Sequence, residues 1–282
     1  MHTQQPWPNG ARIAVLLAIH FDAETLWTSR DPANWERPGT LSMGTYGGKV
    51  GVPNVLSVLQ EYKLKSTFFV PGWTAEKYVD RMEAILAAGH EVAHHGYSHQ
   101  WIDPKFPERE REELERGLSV LKSRYGVKPS GYASPAGETS PNMMELLQEH
   151  GFTYDATLMD QIDPYRTVLK DGSLGPVELP WHWNIDDACY SLFSRAQPRP
   201  IFPNSQIFEI WSEEFTEIYS KGGFFHLVLH PQVIGRPVRI ALLRRMLEFI
   251  LSHQGVWVAT GDEIARTWLQ ANPERREPYQ IG

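Results

Sequence analysis

Stretches with the apolar character of buried strands alternate with amphipathic stretches along nearly the whole chain. This alternation limits the possible folds more than any other feature of the sequence. Residues 12–21 read as a first strand, 52–62 as a helix, and 66–70 as a second strand broken by Pro71-Gly72. An amphipathic helix at 74–88 ends at Gly89, where a C-cap glycine belongs, and feeds a short strand at 90–94. A long helix runs from 107 to about 125, with Pro107 in its first turn and Gly126 as its stop. Residues 131–134 form the next strand, and Ser140-Pro141 opens a helix that Gly151 ends. Later strands are expected at 152–157, 177–180, 224–229 and 256–259, with helices at about 206–220 and 238–252. Thr260-Gly261-Asp262-Glu263 is a capping-box pattern that opens a final helix.

Repeated βα units imply an α/β fold with a mostly parallel sheet and helices outside. Seven or eight such strands favour a single-domain distorted (β/α) barrel over an open sheet. One catalytic domain is expected over 1–282, its core at about 12–270. The stretch 27–51, rich in Trp, Pro and Gly, reads as a long inserted loop beside the first strand, suited to a lid or an interface.

Composition narrows the function. With 41% hydrophobic and 22% charged residues, the chain has the make-up of a soluble globular protein. A net charge of −7 leaves no basic excess for a nucleic-acid partner. Cys189 is the sole cysteine, so no intrachain disulfide forms. The apolar run at 13–19 is too short to span a bilayer, lacks a preceding positive region, and is followed by His20 and Asp22. A cytoplasmic protein without a membrane partner is therefore expected.

Four of the 11 histidines fall in Gly89-His90-Glu91-Val92-Ala93-His94-His95-Gly96-Tyr97-Ser98-His99. Neutral imidazole is the commonest protein ligand for a transition metal. His90-Glu91-Val92-Ala93-His94 matches a zinc-protease pattern, but that pattern needs one uninterrupted helix, and Gly89 ends the helix just before it. His95 and His99 form the alternative pair, joined by a carboxylate from elsewhere. In a barrel, working residues sit where strands end and loops begin. The first strand ends in His20-Phe21-Asp22-Ala23-Glu24, the fourth delivers Ser134-Pro135-Ala136-Gly137-Glu138, and 224–229 leads into His230-Pro231. Acids and imidazoles thus gather at one end of several strands.

In this order the chain resembles the polysaccharide deacetylase (NodB-homology) family from about 12 to 270. Asp22 matches the aspartate ligand of the first motif, and His95-Gly96-Tyr97-Ser98-His99 the H-x-x-x-H motif. Ser134-Pro135-Ala136-Gly137 matches the P-x-G-type loop, and His230 the histidine after an apolar strand. The segment Leu179-Pro180-Trp181-His182-Trp183 with Asp186-Asp187, and His230-Pro231 before Arg236-Pro237, look like the peptidoglycan-deacetylase-like, allantoinase-like and imidase-like branch. The resemblance implies a NodB-like barrel and hydrolysis of non-peptide C–N bonds, in N-acetylated sugars or small and cyclic amides. It also implies one divalent metal, by its ligand types Zn2+, on Asp22, His95 and His99. His230 would be the acid, with Pro135, Trp73, Trp183, Asp187 and Arg236 at the substrate. Relatives in this branch form tetramers, so a homo-oligomer is expected.

This chain departs from the family at the base. The usual aspartate two residues before the ligand is His20, and the usual arginine before Ser134-Pro135 is Ala133. His20 becomes a base or an extra ligand, with Glu24 and Glu138 as competing bases. Loss of both usual residues keeps a non-catalytic metal or carbohydrate binder as an alternative. An iron oxygenase built on His20, Asp22 and His230 is a further one, against the strand–helix alternation.

Overall fold

Strand β1 (Ile13–His20) is the spine of the sheet. Ile13, Val15, Leu17 and Ile19 pack outward with the helices, while Ala14, Leu16 and Ala18 pack inward with Phe69, Trp181 and Trp268. This is the period of two that a pleated strand imposes, and it puts His20 on the inner parity. The structure, a computed structural model, describes residues 7–193 and 198–272. In chain order the other strands are β2 (Thr67–Val70), β3 (Glu91–His94), β4 (Gly131–Tyr132), β5 (Tyr154–Asp155), β6 (Tyr165–Val168), β7 (Leu174–Glu178), β8 (Gly223–Leu229) and β9 (Val256–Ala259).

Eight of them line up as β6-β7-β5-β4-β3-β2-β1-β8, parallel throughout except for the β6–β7 hairpin. β9 pairs with residues 13–16 of β1 while β2 pairs with residues 18–20 of the same strand. On β8, Asp186 bridges to Val228, and the His226 ring donates to the Leu179 and Pro180 carbonyls at 3.1 and 3.2 Å. The segment after β7 thereby curls back toward β8, giving a distorted (β/α) barrel of mostly parallel strands. That order also removes the antiparallel double sheet on which an oxygenase triad normally sits.

The long helix Pro107–Tyr125 begins on its proline and stops at Gly126, whose φ of 66° is the left-handed cap expected there. The last helix, Gly261–Ala271, opens on the complete Thr260/Glu263 capping box and sends Ile264, Ala265 and Trp268 into the inner cluster. Among the described residues no helix is long and apolar enough to cross a membrane.

Two expectations are corrected, and one element was missed. The helix at 74–88 is two, Gly72–Lys77 and Val79–Ala87, separated at Tyr78 (φ −110°, ψ 55°), whose hydroxyl is drawn to Glu24 at 2.8 Å. The stretch 27–51 is largely helical, with Pro38–Tyr46 running through Gly47–Gly51 into Val52–Glu61. Gly48 and Gly51 serve close packing and not turns: a Cβ on Gly51 would lie 2.1 Å from the Pro231 carbonyl oxygen, and one on Gly48 2.2 Å from the Tyr78 ring. The β6–β7 hairpin was not expected, although the Asp171-Gly172 pair at its turn is a recognised hairpin signal.

Gly117 fixes the helix Pro107–Tyr125 against the histidine-rich loop. A Cβ there would stand 2.4 Å from His94 Nε2 and 2.8 Å from the Gly96 carbonyl oxygen. Gly117→Ala is therefore expected to cost about 1–3 kcal/mol by overpacking, read as a lower melting temperature. An unchanged melting temperature would mean that the helix can shift away.

Candidate metal centre and active site

β1 runs out at His20, and two residues later the Asp22 carboxylate lies wholly buried. Its Oδ1 is 3.5 Å from His95 Nε2 and 3.7 Å from His99 Nε2. Its Oδ2 is 3.3 Å from Gln232 Nε2, which donates to it, and 3.7 Å from His230 Nε2. His20 Nδ1 is 3.2 Å from His95 Nε2. Residues far apart in the chain thus converge at the C-terminal ends of β1, β3 and β8. Ala23, His99 and Ala136 all hold positive φ (53°, 59° and 59°) around this point. Non-glycine residues in that region cost about 1–2 kcal/mol each, and such strain clusters at working sites.

The donor set can be tested for a cation. His95 Nδ1 lies 2.6 Å from the Ala133 carbonyl oxygen, which can only accept, so the proton is on Nδ1 and Nε2 presents a lone pair. That lone pair faces Asp22 Oδ1, a buried oxygen without a hydrogen-bond donor. Two acceptors facing each other away from water are unfavourable unless a proton or a cation lies between them. The imidazoles are held uncharged, as ligands must be. Burial, with the neighbouring His95 and His230, pushes His20 well below its ordinary value, and burial takes His95 down to about 3. Burial also pushes His99 well below its ordinary range. Burial raises Asp22 to about 7, against the opposing pull of His230 and Gln232. The residues fit a divalent ion bound by nitrogen and oxygen. Among the described residues, His20, Asp22 and His95 form one trio whose donor atoms all lie within 4.8 Å of one another. His99 falls outside that trio although its Nε2 lies 3.7 Å from Asp22 Oδ1, and His20 falls within it.

A second acidic group, Asp186 and Asp187 with His230, has the opposite character. His230 Nδ1 is 2.7 Å from Asp187 Oδ1, and the His230 backbone N–H donates to both Asp187 oxygens at 3.1 Å. Burial would lower His230, but the Asp186 charge, the Asp187 hydrogen bond and charge, and Asp22 outweigh it and raise it to about 10. A protonated imidazolium cannot ligate a metal. It can donate a proton.

The centre opens into a cavity of about 320 Å³ lined by His20, His95, His99 and His230 at its base, with Trp101, Trp181 and Trp183 along its walls. Trp181 and Trp183 meet edge to face at 4.6 Å, and the Trp181 indole N–H donates to the Thr157 carbonyl at 2.9 Å. Of the expected residues, Glu138 and Trp183 also line this space, Glu138 at its exposed mouth.

Five expected residues lie elsewhere. Glu24 is buried against Thr45, Lys77 and Tyr78, which donate to its carboxylate at 2.5, 2.8 and 2.8 Å, and it does not face the cavity. Committed to three donors, it is a structural carboxylate. Trp73 packs on Trp35 and under Lys77, away from the cavity. Pro135 is buried and off the cavity lining, its Cγ 3.6 Å from where a Cβ on Gly96 would stand. Asp187 touches His230 and not the cavity, and Arg236 stacks on Tyr46 at 3.6 Å.

The zinc-protease pattern is excluded by geometry. His94 ends strand β3, donates from Nε2 to the Leu114 carbonyl at 3.0 Å and accepts from Gly96 N–H at 3.1 Å. His90 Nδ1 accepts from Ser66 N–H at 3.2 Å. Asp186, Gln232, Arg30 and Arg199 were not anticipated at the site. Gln232 had a usable signal, since it follows His230 by two residues in the same loop.

A curled parallel sheet with a buried acid–imidazole centre at its C-terminal rim defines a barrel-type hydrolase. The model for the family described as "Polysaccharide deacetylase" matches residues 44–154. The structure is similar to that of the "putative polysaccharide deacetylase" of Mycobacterium smegmatis, with 37% identity, 98% of this chain and 96% of that one covered, and a TM-score of 0.92. It is also similar to the PuuE allantoinase, at 26% identity with 96% and 95% covered and a TM-score of 0.83. In sequence, a peptidoglycan deacetylase of Helicobacter pylori is 29% identical over 94% of this chain and 99% of its own length. The chain belongs to the polysaccharide deacetylase family, whose enzymes are hydrolases of carbon–nitrogen bonds other than peptide bonds.

Proposed function

We propose that this protein is a metal-dependent hydrolase of a small or cyclic amide, with Asp22, His95 and His99 as the ligands of one divalent ion. The observation that carries the substrate size is the cavity of about 320 Å³ walled by three tryptophans. That is the small end of the range for ligand pockets, and an extended glycan needs an open groove. The likeness to an allantoinase over 96% of the chain supports the same direction.

A divalent ion such as zinc, held by Asp22, His95 and His99, would supply Lewis acidity toward the amide carbonyl and a water molecule. The chain's own residues manage the protons. His20, uncharged and lining the cavity, is the proton acceptor, a task within reach of a neutral imidazole. His230, charged and held by Asp187, donates to the departing nitrogen. Water thus adds across the C–N bond, with oxygen going to the acyl carbon and a proton leaving with the amine.

His20→Ala is expected to lower kcat by about 10²–10⁴ with zinc content unchanged. Loss of zinc in that variant would make His20 a ligand, and full activity would remove it from the mechanism. The reading as a whole is tested with zinc-loaded protein on acetanilides, cyclic imides and N-acetylglucosamine oligomers. Metal-dependent turnover of a small amide or imide is expected. Acetate release from the oligomers alone would overturn the substrate class, and no turnover at all would favour a non-catalytic binder.

A further inference from the structure

We propose that Glu113 is a positioning residue for the metal centre: its carboxylate fixes the loop between His95 and His99 in the shape that brings both rings to Asp22. This deepens the proposed function and rests on it for the ion, though not for the fixing of the loop.

The loop does not hold that shape by backbone preference. Within five residues it contains two left-handed positions, Gly96 (φ 72°) and His99 (φ 59°). Glycine takes such a φ freely, but at His99 the Cβ opposes it, so a ligand-bearing residue itself carries the strain. A backbone that turns through a left-handed residue points successive N–H groups to one side, where they form a concave seat for an anion. Here the N–H groups are those of Tyr97 and Ser98, and the anion is built into the fold.

Glu113 lies half-buried on the helix Pro107–Tyr125. Its Oε2 accepts from the Tyr97 N–H at 3.0 Å and from the Ser98 N–H at 2.7 Å, and its Oε1 accepts from the Ser98 hydroxyl at 2.8 Å. The carbonyls of the loop are met by backbone: Gly96 and Tyr97 accept from the N–H groups of Gly72 and Trp73 at 3.0 and 2.8 Å. The Gly96 N–H goes to His94 Nδ1 at 3.1 Å. One side chain therefore meets both N–H groups of Tyr97 and Ser98, between the two ligand histidines. Backbone N–H groups held away from water are costly to leave unpaired. Without that carboxylate the loop would turn them toward water and carry His99 with it.

The same helix sets the register of the grip. The Arg116 guanidinium lies 3.5 Å over the Tyr97 ring and donates to the Tyr97 hydroxyl at 2.8 Å, which donates to Glu76 at 2.8 Å. Tyr97 is thereby pinned from its ring as well as from its N–H. Hydrogen bonds to an ionised carboxylate are about twice as strong as neutral ones. The histidine pair is thus arranged before an ion arrives, which spares binding the loss of loop freedom that would otherwise weaken it.

The test compares the wild type with Glu113→Leu and Glu113→Gln. It reads zinc affinity by competition with a chelator, and backbone amide exchange at Tyr97 and Ser98 in the metal-free proteins. Glutamine keeps the geometry, since its carbonyl oxygen accepts both N–H groups and its amide donates to Ser98 Oγ; leucine keeps only the bulk. Glu113→Leu is expected to bind zinc about 10–100-fold more weakly, the range for residues that orient metal ligands. Its two amides should exchange roughly tenfold faster or more, as loss of bonds to a charged group implies. Glu113→Gln should stay within about threefold of the wild type in both readouts. A role in helix stability alone would lower the melting temperature of the leucine variant and leave its zinc affinity unchanged, so unchanged affinity overturns the proposal. So does a glutamine variant as weak as the leucine one. If the wild type binds no zinc, the metal reading fails, and amide exchange still decides the role of Glu113. Faster exchange in the leucine variant alone then supports the fixing of the loop, and equal exchange in all three proteins rejects it. Should Glu113→Leu fail to fold, Glu113→Asp, which keeps the charge and lacks the reach, decides by the same two readouts.

Discussion

Asp22→Asn is expected to strip the protein of its divalent ion and to lower kcat/KM by well over a hundredfold. Changing a group that merely supports a ligand costs about 10–100-fold in metal affinity or activity, and Asp22 would be the ligand itself. Its Oδ1 faces His95 and His99 within 3.7 Å, buried and without a donor, so an amide there neither balances the charge nor offers the same oxygen pair. The variant should also change stability in a direction that a plain structural role would not produce. In the metal-free protein burial raises Asp22 from 3.8 to about 7. The folded state then binds more protons than the unfolded one across that window, so this group makes stability fall as pH rises from 3.8 to about 7. Asparagine removes that slope. Adding zinc should raise the melting temperature of the wild type, because binding to the folded state alone stabilises it, and should leave the variant nearly unmoved. A variant that keeps its zinc and its rate would remove Asp22 from the centre.

The second large effect concerns His230. Its replacement by glutamine is expected to cost about 10²–10⁴ in kcat, the usual worth of a positioned acid. Asp187→Asn is more diagnostic, because it leaves the imidazole in place. A general acid works only while protonated, so the rate falls as pH rises through its pKa. With His230 raised to about 10, the wild type should hold its activity well into alkaline solution. Removing the Asp187 carboxylate takes away both the 2.7 Å hydrogen bond and one of the charges that raise His230. The alkaline limb of kcat/KM against pH should then move down toward neutrality, while activity below that limb falls less. An alkaline limb at the same pH in both proteins would mean that His230 is not the acid.

Much of the scaffold was legible in the sequence, for reasons that differ from element to element. β1 could be read because 13–19 is a short continuous apolar run that gives way to His20 and Asp22, the mark of a strand buried on both faces. The stop at Gly126 and the Thr260/Glu263 box could be read because caps are local chemistry. His95 and His99 stood out through their spacing, and their rivals His90 and His94 were set aside through the helix stop at Gly89. What could not be read was the side to which a loop residue turns. Glu24 sits two residues from Asp22, yet the left-handed turn at Ala23 sends it to Lys77 and Tyr78. Asp187 was expected at the substrate and instead holds His230, a contact that spans 43 positions in the chain. Arg30 and Arg199 carry no local pattern, and only the fold brings them to one cavity. The 27–51 stretch was misread because glycine has two uses, turns and close approach, and Gly48 and Gly51 serve the second.

The most direct measurement is anomalous diffraction at the zinc edge from crystals of the zinc-loaded protein. A single peak is predicted where Asp22, His95 and His99 meet, at the base of the tryptophan-walled cavity. A peak held by His90 and His94, or one at Asp186 and Asp187, or no bound zinc at all, would contradict it.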